Sequence, residues 1–391
     1  MSEWKEYKMS QLIDEIAMGP FGSNIKVDCF VNSGIPVLNG SNLVGFRLNE
    51  DAFNYVTKEK ADSLGHSNAY RGDVVVTHRG TLGQIVYIPE DSKYDRYVIS
   101  QSQFRFVCKK ELVYVPYLVY YFHSREGQFR LLANASQVGV PALARPTSSF
   151  KDVIVTLPPL ETQRRIASIL SSLDDKIDLL HRENATLEQM AETLFRQWFV
   201  EEAKEEWKEG KLGDEFAFTM GQSPSGDSFN EEGIGMPMYQ GNADFGFRFP
   251  TRRVYTTKPT RFAEVNDTLI SVRAPVGAQN MAIERCCIGR GVASFRYKNN
   301  PSYYSYTYYK LKSLLEEIKQ FNDNGTVFGS ISKSDFENLD IVIPDESTII
   351  SYQQQVKVID DKIINNNNEI QTLILIRDGL LPRLMSGEIK I

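Results

Sequence analysis

The chain contains few of the residues that build metal sites, disulfide frameworks and membrane spans. Among its 391 residues there are four cysteines and four histidines. The cysteines form no CxxC pair and have no histidine at zinc-ligand spacing, so we expect neither a structural metal nor disulfides. The first residues lack an apolar signal core, and no run approaches the roughly twenty apolar residues of a membrane span. A cytoplasmic protein without a membrane partner is therefore expected.

Motifs for nucleotide hydrolysis and methyl transfer are also missing. There is no GxxxxGK[ST] phosphate loop, and Leu157 stands before Pro158-Pro159 where an amino-methyltransferase needs an amine-binding polar residue. The runs Asp174-Asp175-Lys176 and Asp360-Asp361-Lys362 resemble the carboxylate and lysine groups of nucleases. Both fall inside a helical pattern, so we interpret them as solvated surface charge. No catalytic residue is predicted, and we expect no enzymatic activity from the chain alone.

The charge balance argues against a general nucleic-acid binder but hides a local asymmetry. The formal net charge is −6, whereas affinity for phosphates requires positive charge. Between Phe245 and Asn300, ten basic residues stand against three acidic ones, Glu264, Asp267 and Glu284. The basic residues are Arg248, Arg252, Arg253, Lys258, Arg261, Arg273, Arg285, Arg290, Arg296 and Lys298. Such a run is often only a solvated surface, so it decides little alone.

The stretch from Pro158 to Trp198 has the apolar periodicity of a long helix with one seam. It contains neither Pro nor Gly after Pro159, and its seam residues recur at spacings of three and four. The two series are Ile166, Leu173, Leu180, Leu187 and Leu194, and Leu170, Ile177, Asn184, Ala191 and Trp198. About forty residues at roughly 1.5 Å each give a rod on the order of 60 Å long. A rod with a single apolar stripe needs a partner.

An imperfect copy of this segment near the C-terminus supplies the partner. Phe150, Pro158 and Asp174–Ile177 reappear in the same order as Phe336, Pro344 and Asp360–Ile363. The copy's seam consists of Tyr352, Ile359, Asn366, Leu373 and Leu380, and of Val356, Ile363, Ile370 and Arg377. The sequence therefore predicts an intramolecular coiled coil, the alternative being two unrelated amphipathic helices packed on separate domains.

The register of this coiled coil follows from two asparagines. Asn184 and Asn366 interrupt apolar seams on opposite series, and a buried polar seam residue costs least where it meets another. We predict antiparallel helices with these two residues facing each other. The remaining layers then pair Ile177 with Leu373, Leu180 with Ile370, Leu187 with Ile363, Leu194 with Val356 and Trp198 with Tyr352. Only Leu173 opposite Arg377 is a mismatched layer.

The segments before the two helices also repeat one another. In the first, short strands are predicted at Val74–Thr77, Gln84–Ile88 and Gln103–Val107, a helix at 116–132 and an exposed loop at 134–141. The matching landmarks are Trp4 and Trp207, Pro36 and Pro237, Asp73 and Asp267, Arg79 and Arg273, Gly83 and Gly277, Phe104-Arg105-Phe106 and Phe295-Arg296-Tyr297, and Gly139 and Gly325. We expect one scaffold used twice with different loops.

The predicted fold class is α+β, with four segments. They are a mixed α/β domain at 1–157, a helix at 158–203, a second mixed α/β domain at 204–343 and a helix at 344–391. An antiparallel helix pair would place the globular domains at its opposite ends with approximate two-fold symmetry and bring the chain termini together. Duplex DNA is the commonest ligand with such symmetry.

The chain resembles a known family over nearly its whole length, in its alternation of two globular domains with two long helices. The helix entry from Leu157 through Gln163 to Ile166, and the tail from Leu381 to Ile389, are similar to the specificity subunit of Type I restriction-modification systems, HsdS. The second entry departs from the pattern, because Pro344 stands alone and glutamine occurs only at 353–355. That departure weakens the equivalence of the two helix entries and leaves the architecture intact.

The resemblance implies a sequence-specific DNA-binding subunit without catalysis of its own. Each globular part would be a target recognition domain for one half of a bipartite site in double-stranded DNA, and the helices would set the spacing. Methylation subunits (HsdM, in two copies) would dock on the helices, and a restriction subunit (HsdR) would join for cleavage. No cofactor is expected on this chain, since S-adenosylmethionine, ATP and Mg²⁺ would belong to the partner subunits.

Candidate DNA-binding residues are the polar and basic side chains of the predicted loops. Arg suits guanine, Asn and Gln suit adenine, and Lys, Arg and hydroxyls suit phosphates. In the first domain they are Ser23, Asn24, Lys26, Asn39, Ser41, Asn42, His78, Arg79, Thr81, Gln101, Ser102, Gln103, Gln137 and Arg145. In the second they are Gln222, Ser223, Ser225, Gln240, Asn242, Arg273, Gln279, Arg290, Asn324, Thr326 and Ser330.

Alternatives remain open for the roles of Arg79 and Arg273 and for the function of the whole chain. Arg79 and Arg273 recur after equivalent strands, but each could instead form an internal ion pair, with Asp73 or Asp267. The chain could also be a coiled-coil adaptor that binds only proteins, in which case the basic excess would be unnecessary. A self-contained methyltransferase or nuclease lacks its motifs.

Overall fold

The structure is a computed structural model that describes residues 4–136, 139–320 and 330–391, with only the backbone of Ser23. Its contacts divide the chain into two units. The first consists of Met1–Asp178 with Ile370–Ile391, and the second is Leu179–Glu369. Both boundaries fall inside long helices, so each unit combines one globular part with a portion of each helix.

The globular part of the first unit contains three sheets and a short hairpin within the residues described. Its strands are β1 (Lys5–Lys8), β2 (Ile13–Met18), β3 (Phe30–Val31), β4 (Ile35–Val37), β5 (Asn54–Val56), β6 (Asn68–Tyr70), β7 (Val74–Thr77), β8 (Ile85–Tyr87), β9 (Arg96–Val98), β10 (Gln103–Cys108), β11 (Ala135–Ser136), β12 (Ala142–Leu143) and β13 (Ile154–Leu157). They pair in the orders β1-β13, β2-β10-β7-β8, β3-β5-β4-β9-β6 and β11-β12. All of these pairs are antiparallel except β4 with β9.

Within the described residues, the second unit repeats the topology of the three sheets strand for strand. Its strands are β14 (Lys208–Lys211), β15 (Phe216–Met220), β16 (Phe229–Asn230), β17 (Met236–Tyr239), β18 (Val254–Thr256), β19 (Phe262–Ala263), β20 (Thr268–Ser271), β21 (Gln279–Met281), β22 (Cys286–Ile288), β23 (Val292–Tyr297) and β24 (Asp340–Ile343). The orders β14-β24, β15-β23-β20-β21 and β16-β18-β17-β22-β19 match those of the first unit, including one parallel pair, β17 with β22. The predicted use of one scaffold twice is confirmed.

Helices accompany both sets of strands. In chain order they are α1 (Met9–Leu12), α2 (Lys58–Ser63), α3 (Val115–His123), α4 (Arg125–Leu131), α5 (Pro146–Lys151), α6 (Leu160–Arg196), α7 (Leu212–Glu215), α8 (Tyr304–Ser313), α9 (Leu315–Gln320), α10 (Lys333–Asn338) and α11 (Glu346–Met385). A π-helical turn, Gln197–Glu201, continues α6. No helix in the described part of the chain is long and apolar enough to cross a membrane.

The single helix predicted at 116–132 is wrong, because the segment is broken at Ser124. Ser124 adopts an extended conformation, and its hydroxyl accepts the backbone N–H of Gly127 at 3.1 Å, which caps α4. The same hydroxyl donates to the carbonyl of Tyr121 at 2.6 Å. A serine that satisfies both helix ends can interrupt an apolar pattern that continues through it.

Each unit buries part of both long helices in its own core. In the first, Phe104, Phe122 and Phe150 pack in one cluster with Leu170 of α6 and Leu384 of α11. In the second, the corresponding cluster joins Phe295 and Phe336 to Phe195 of α6 and to Tyr352 and Val356 of α11. The helices are therefore integral to the globular cores.

A buried glutamine ties each long helix to the start of a helix in the sheet domain. Gln163 of α6 accepts the backbone N–H of Tyr114 at 2.9 Å, at the beginning of α3. Gln353 of α11 accepts the N–H of Ser305 at 3.0 Å, at the beginning of α8. Gln353 is thus the counterpart of Gln163 among the glutamines at 353–355.

The predicted antiparallel coiled coil is confirmed within the second unit. The Asn366 Nδ2 donates to Oδ1 of Asn184 at 2.9 Å, and the rings of Trp198 and Tyr352 lie 6.0 Å apart. From the first contact to the second, the residue number increases from 184 to 198 in α6 and decreases from 366 to 352 in α11. The two helices are therefore antiparallel and in the predicted register. In the first unit, Trp4 and Gly387 lie close together, since a Cβ at Gly387 would lie 3.2 Å from the Trp4 indole.

The interpretation of the two Asp-Asp-Lys runs as surface charge is wrong for their first aspartates. Asp360 is buried and accepts a hydrogen bond from Nη2 of Arg248 at 2.7 Å, and the Arg248 guanidinium stacks 3.3 Å from the centroid of the Tyr308 ring. In the first unit, Asp174 pairs with Arg377 of α11 at 2.8 Å, and that guanidinium lies over Phe46. The mismatched layer at Arg377 is therefore explained by an ion pair.

One predicted sequence match needs correction by two residues. Phe106 pairs with Val74, the residue after Asp73, whereas Phe295 pairs with Thr268, the residue after Asp267. Phe295 is therefore the counterpart of Phe106, not of Phe104. Side chains alternate with period two along a strand, so a slip of two residues preserves the buried pattern and escapes detection in sequence.

Candidate nucleic-acid interface

Three loops of the first unit come together where β2, β7 and β10 begin or end. The N–H of Gly19 donates to the carbonyl of Gln103 at 2.8 Å, and that of His78 donates to Ser102 at 2.8 Å. His78 Nε2 also lies 3.2 Å from the carbonyl of Gln101. Burial lowers the pKa of His78, so the ring is neutral at physiological pH. Residues far apart in sequence thus form one surface.

Two further loops complete this surface. Gln84 donates to the carbonyl of Gly40 at 3.0 Å and accepts from Thr77 at 3.0 Å, which joins the loop after β4 to β7. The N–H of Gly80 donates to Pro141 at 2.9 Å, which brings in the β11-β12 hairpin. Arg145 follows this hairpin in the left-handed conformation, with φ of 48°, and is exposed.

The second unit assembles the equivalent loops with the same backbone bonds. Gly221 donates to Val292 at 2.9 Å, and Val272 donates to Gly291 at 2.9 Å. The N–H of Arg290 reaches Oγ of Ser223 at 3.2 Å. Gly291 packs on the loop after β17, where an added Cβ would lie 2.1 Å from the carbonyl oxygen of Gln240.

These bonds establish three pairs of equivalent exposed positions. Asn39 follows β4 and Gln240 follows β17, the first strand of each parallel pair. Arg79 and Arg273 follow β7 and β20. Gln101 and Arg290 precede β10 and β23. Arg79 bridges to Ala142 and Arg273 to Ser330 in the same antiparallel manner. The two surfaces therefore share positions and differ in side chains.

Most of the predicted binding residues are accessible on these surfaces. The exposed ones are Asn24, Lys26, Asn39, Ser41, Arg79, Thr81, Gln101 and Arg145, and Gln222, Ser225, Gln240, Asn242, Arg273, Arg290 and Ser330. His78, Ser102 and Ser223 are half-buried. Gln137, Asn324, Thr326 and the side chain of Ser23 lie outside what the structure describes.

Three predicted residues instead hold the scaffold together. Asn42 and Gln103 are each 1% exposed; Asn42 donates to the carbonyls of Asn49 and Ala52, both at 3.0 Å, and Gln103 accepts from Ser100 at 2.9 Å. Gln279 donates to the carbonyl of Tyr308 at 2.7 Å. Buried amides bonded to backbone cannot reach a base edge, so we remove these residues from the contact set.

The alternative of internal ion pairs for the two repeated arginines is wrong. Asp73 pairs with Arg105 at 3.2 Å, and Asp267 pairs with Arg296 at 2.5 Å. Burial outweighs the arginine and raises the pKa of Asp73 to about 6. Within the described ranges, no carboxylate lies within ion-pair distance of Arg79 or Arg273, and both are exposed. Their guanidinium donors are available to a ligand.

The local basic excess is largely neutralised. Six of its ten basic side chains form ion pairs, namely Arg248 with Asp360, Arg252 with Glu284, Arg253 with Asp244, Lys258 with Asp227, Arg285 with Glu264 and Arg296 with Asp267. Arg273 and Arg290 lie on the loop surface and are exposed. The count of charges in sequence overstated the basic character of this segment, because several partners come from outside it.

Sequence reasoning missed two residues of the first surface. Gln84 links two loops, and only its position at the start of the predicted β-strand could have suggested this role. Phe21 is 84% exposed between Pro20 and Gly22. The Gly-Pro-Phe-Gly sequence could have indicated it, because such a sequence places an aromatic residue in a turn.

Comparison with known proteins places this geometry in a family. The family described as "Type I restriction modification DNA specificity domain" matches residues 1–189 and 204–377. The chain is 25% identical to a Methanocaldococcus jannaschii protein provisionally named the MjaX specificity subunit of a type I restriction enzyme, over 100% of this chain and 94% of that protein. It is 23% identical to the HindI specificity subunit of Haemophilus influenzae, with both chains fully covered.

A solved structure shares the fold. The S subunit of a Type I restriction-modification system from M. genitalium aligns over 98% of this chain and 96% of its own, with a TM-score of 0.61 and 18% identity. The family match covers both repeats of the sheet topology and most of both long helices. The chain therefore belongs to the family of Type I restriction modification DNA specificity domains.

Proposed function

We propose that this chain is the sequence-specific DNA-binding subunit of a Type I restriction-modification complex. Each sheet domain would recognise one half of a bipartite target in double-stranded DNA. The observation that carries this proposal is the pair of equivalent loop surfaces, on which Arg79 and Arg273 stand exposed without carboxylate partners in the described residues. Membership of a family of DNA specificity domains supports it.

The side chains on the two surfaces have the chemistry of base recognition. Arg79 or Arg273 could bind guanine through O6 and N7, and the carboxamides of Asn39, Gln101 or Gln240 could bind adenine through N6 and N7. Gln101 and Arg290 occupy equivalent positions but prefer different bases. The two half-sites are therefore expected to differ in sequence, although one scaffold positions both sets of residues.

The long helices would set the distance between the half-sites and bind the partner subunits. Asn184 and Asn366 fix a single register of α6 against α11. A single register supports a target in which the gap between the two half-sites has a fixed length. Outward-facing apolar residues of the helices, such as Leu179, Val358 and Leu375, are exposed and suit protein contacts. We propose two methylation subunits (HsdM) and a restriction subunit (HsdR) as the partners.

Catalysis would reside in the partners. S-adenosylmethionine, ATP and Mg²⁺ would bind to the methylation and restriction subunits, and this chain would position them on DNA. Its own contribution is the free energy that distinguishes the target from other sequences, for which specific complexes typically gain about 4–10 kcal/mol.

Co-expression with a methylation subunit tests this proposal. Methylome sequencing of the host should reveal one bipartite adenine-methylated motif, and the purified complex should bind a duplex with that motif far more tightly than a scrambled duplex at the same salt. Changing the loops of one domain should alter one half of the motif only. Unaltered methylation, or equal affinity for both duplexes, would refute the proposal.

A further inference from the structure

An apolar ring projects from the loop surface of the first unit. Phe21 is 84% exposed, whereas Pro20 before it is buried. Its backbone is extended, with φ of −60° and ψ of 147°. Leaving a phenylalanine ring in water forfeits the stabilisation that burial would give it. Folding therefore gains little from this ring, and its apolar surface is available to a ligand.

The backbone bonds on both sides of Phe21 hold the turn that carries the ring. Gly19 donates to Gln103 at 2.8 Å, and Asn24 donates to the carbonyl of Phe21 at 2.8 Å. A Cβ at Gly19 would lie 1.9 Å from the carbonyl oxygen of Ser100, so only glycine permits this close approach. The ring is presented by a fixed turn that is part of the loop surface.

The neighbours of Phe21 are carboxamides and a cation. A Cβ at Gly22 would lie 2.1 Å from Oε1 of Gln101, so the Gln101 side chain lies directly against the turn. Asn24 and Lys26 are exposed on the same segment. Carboxamides bind adenine in the major groove, and the thymine paired with that adenine presents an apolar methyl group there.

We propose that Phe21 is a specificity-determining residue that packs on the 5-methyl group of a thymine in the first unit's half-site. The thymine belongs to an A·T pair next to, or the same as, the one that Gln101 contacts. This inference rests on the proposed function. It also makes the two half-sites unequal, because Ser223 occupies the equivalent position in the second unit, two residues after Gly221.

A double-mutant cycle, with one change in the protein and one in the DNA, tests the contact. The probes are duplexes of the methylome-derived motif in which each thymine is replaced, one at a time, by deoxyuridine, which lacks only the methyl group. Binding of the methylation complex is measured with the original chain, with Phe21→Ala and with Phe247→Ala. Phe247 is also an exposed phenylalanine, but it belongs to the second unit, which would bind the other half-site, so it serves as the control.

The expected result is one thymine whose replacement weakens binding by about four-fold, the effect of one apolar methyl contact. That sensitivity should disappear in Phe21→Ala and persist in Phe247→Ala, with both variants as thermally stable as the parent. The inference is overturned if no thymine shows this effect, if Phe21→Ala keeps it, or if the half-site has no A·T pair. Failure of the parent complex to prefer the motif over a scrambled duplex would instead overturn the proposed function.

Discussion

Asn366 of α11 donates a hydrogen bond to Asn184 of α6 at 2.9 Å, and both residues are almost completely buried. The same Nδ2 also reaches the Glu183 carboxylate at 2.9 Å. Because a buried amide without a partner is costly, any shift of one helix along the other would break this layer. The pair therefore fixes the register that the proposed spacing of two DNA half-sites requires.

Replacing both asparagines should cost less than replacing either one. Asn366→Leu would leave the Asn184 amide buried and unpaired, and Asn184→Leu would leave the Asn366 amide with only its bond to Glu183. Each single change should destabilise the chain by about 1–3 kcal/mol. The double Leu variant should be close to neutral or stabilising, because no buried polar group remains. Urea unfolding of the four proteins measures this coupling. Simple additivity of the two single effects would contradict the assigned layer.

Removal of the Arg248 guanidinium should strongly destabilise the second unit. Arg248 is 2% exposed and pairs with Asp360, whose pKa is raised by burial. Arg248→Ala would leave Asp360 buried without its counter-charge, for which about 3–5 kcal/mol is typical. The control is Arg252→Ala, which breaks an exposed pair with Glu284 and should cost at most about 1 kcal/mol. If both variants lost the same free energy of unfolding in denaturant, the assigned difference between a buried and an exposed ion pair would be refuted.

The stability of the second unit should fall as pH rises from about 4.5 to about 7. Burial raises the pKa of Glu215 to about 7, although Tyr306 donates to its carboxylate at 2.7 Å. The unfolded glutamate has a pKa near 4.3, so the folded state holds the extra proton, and stability declines until that proton is lost.

Leu12 provides the natural comparison for Glu215. The backbone bonds from Lys109 to Leu12 and from Lys298 to Glu215 show that these are equivalent positions. Glu215→Leu should reduce the pH-dependent loss in this window, leaving the part that comes from other buried carboxylates such as Asp360, whose pKa burial also raises. It should stabilise the chain at pH 8 by about 1–3 kcal/mol. Thermal unfolding from pH 4.5 to 8 measures both effects. An unchanged slope in the variant would assign the pH dependence to other groups.

Arg79 and Arg273 should each affect one half of the target. Arg79→Ala should weaken specific binding by about 1–3 kcal/mol and relax base preference in the first half-site, and Arg273→Ala should do so in the second. Lysine at either position should not restore the preference, because it lacks the planar pair of donors. Salt-controlled titrations against single-base variants of the motif measure this, with Arg252→Ala as control. Undiminished affinity would remove the residue from the interface.

Lys26 should act without regard to sequence. As an exposed cation beside the first surface, it suits a phosphate, so Lys26→Ala should weaken binding to all duplexes alike and reduce the salt slope by about 1. Lys258→Ala removes a lysine that pairs with Asp227 at 3.0 Å and is the matched control. A loss confined to the target duplex would indicate a base contact instead.

The contrast between Asn184 and Asp174 shows where sequence reasoning reached its limit. The asparagine layer could be predicted, because a polar residue in a heptad seam has few solutions. Asp174 and Asp360 looked like surface charge, because their partners, Arg377 and Arg248, are distant in sequence. The arginine comes from the opposite helix in one unit and from a loop in the other, and no local pattern records that difference.

The repeat, the two long helices and their antiparallel register could all be predicted from the amino-acid sequence. These properties follow from periodicity, which is local and survives without knowledge of the folded chain. The folded domains were needed to show that Asn42 and Gln103 are buried while Arg79 and Phe21 are exposed, and that six of ten cations in one segment are neutralised. Burial and ion pairing depend on which distant loops meet, and that is settled by packing of the whole domain.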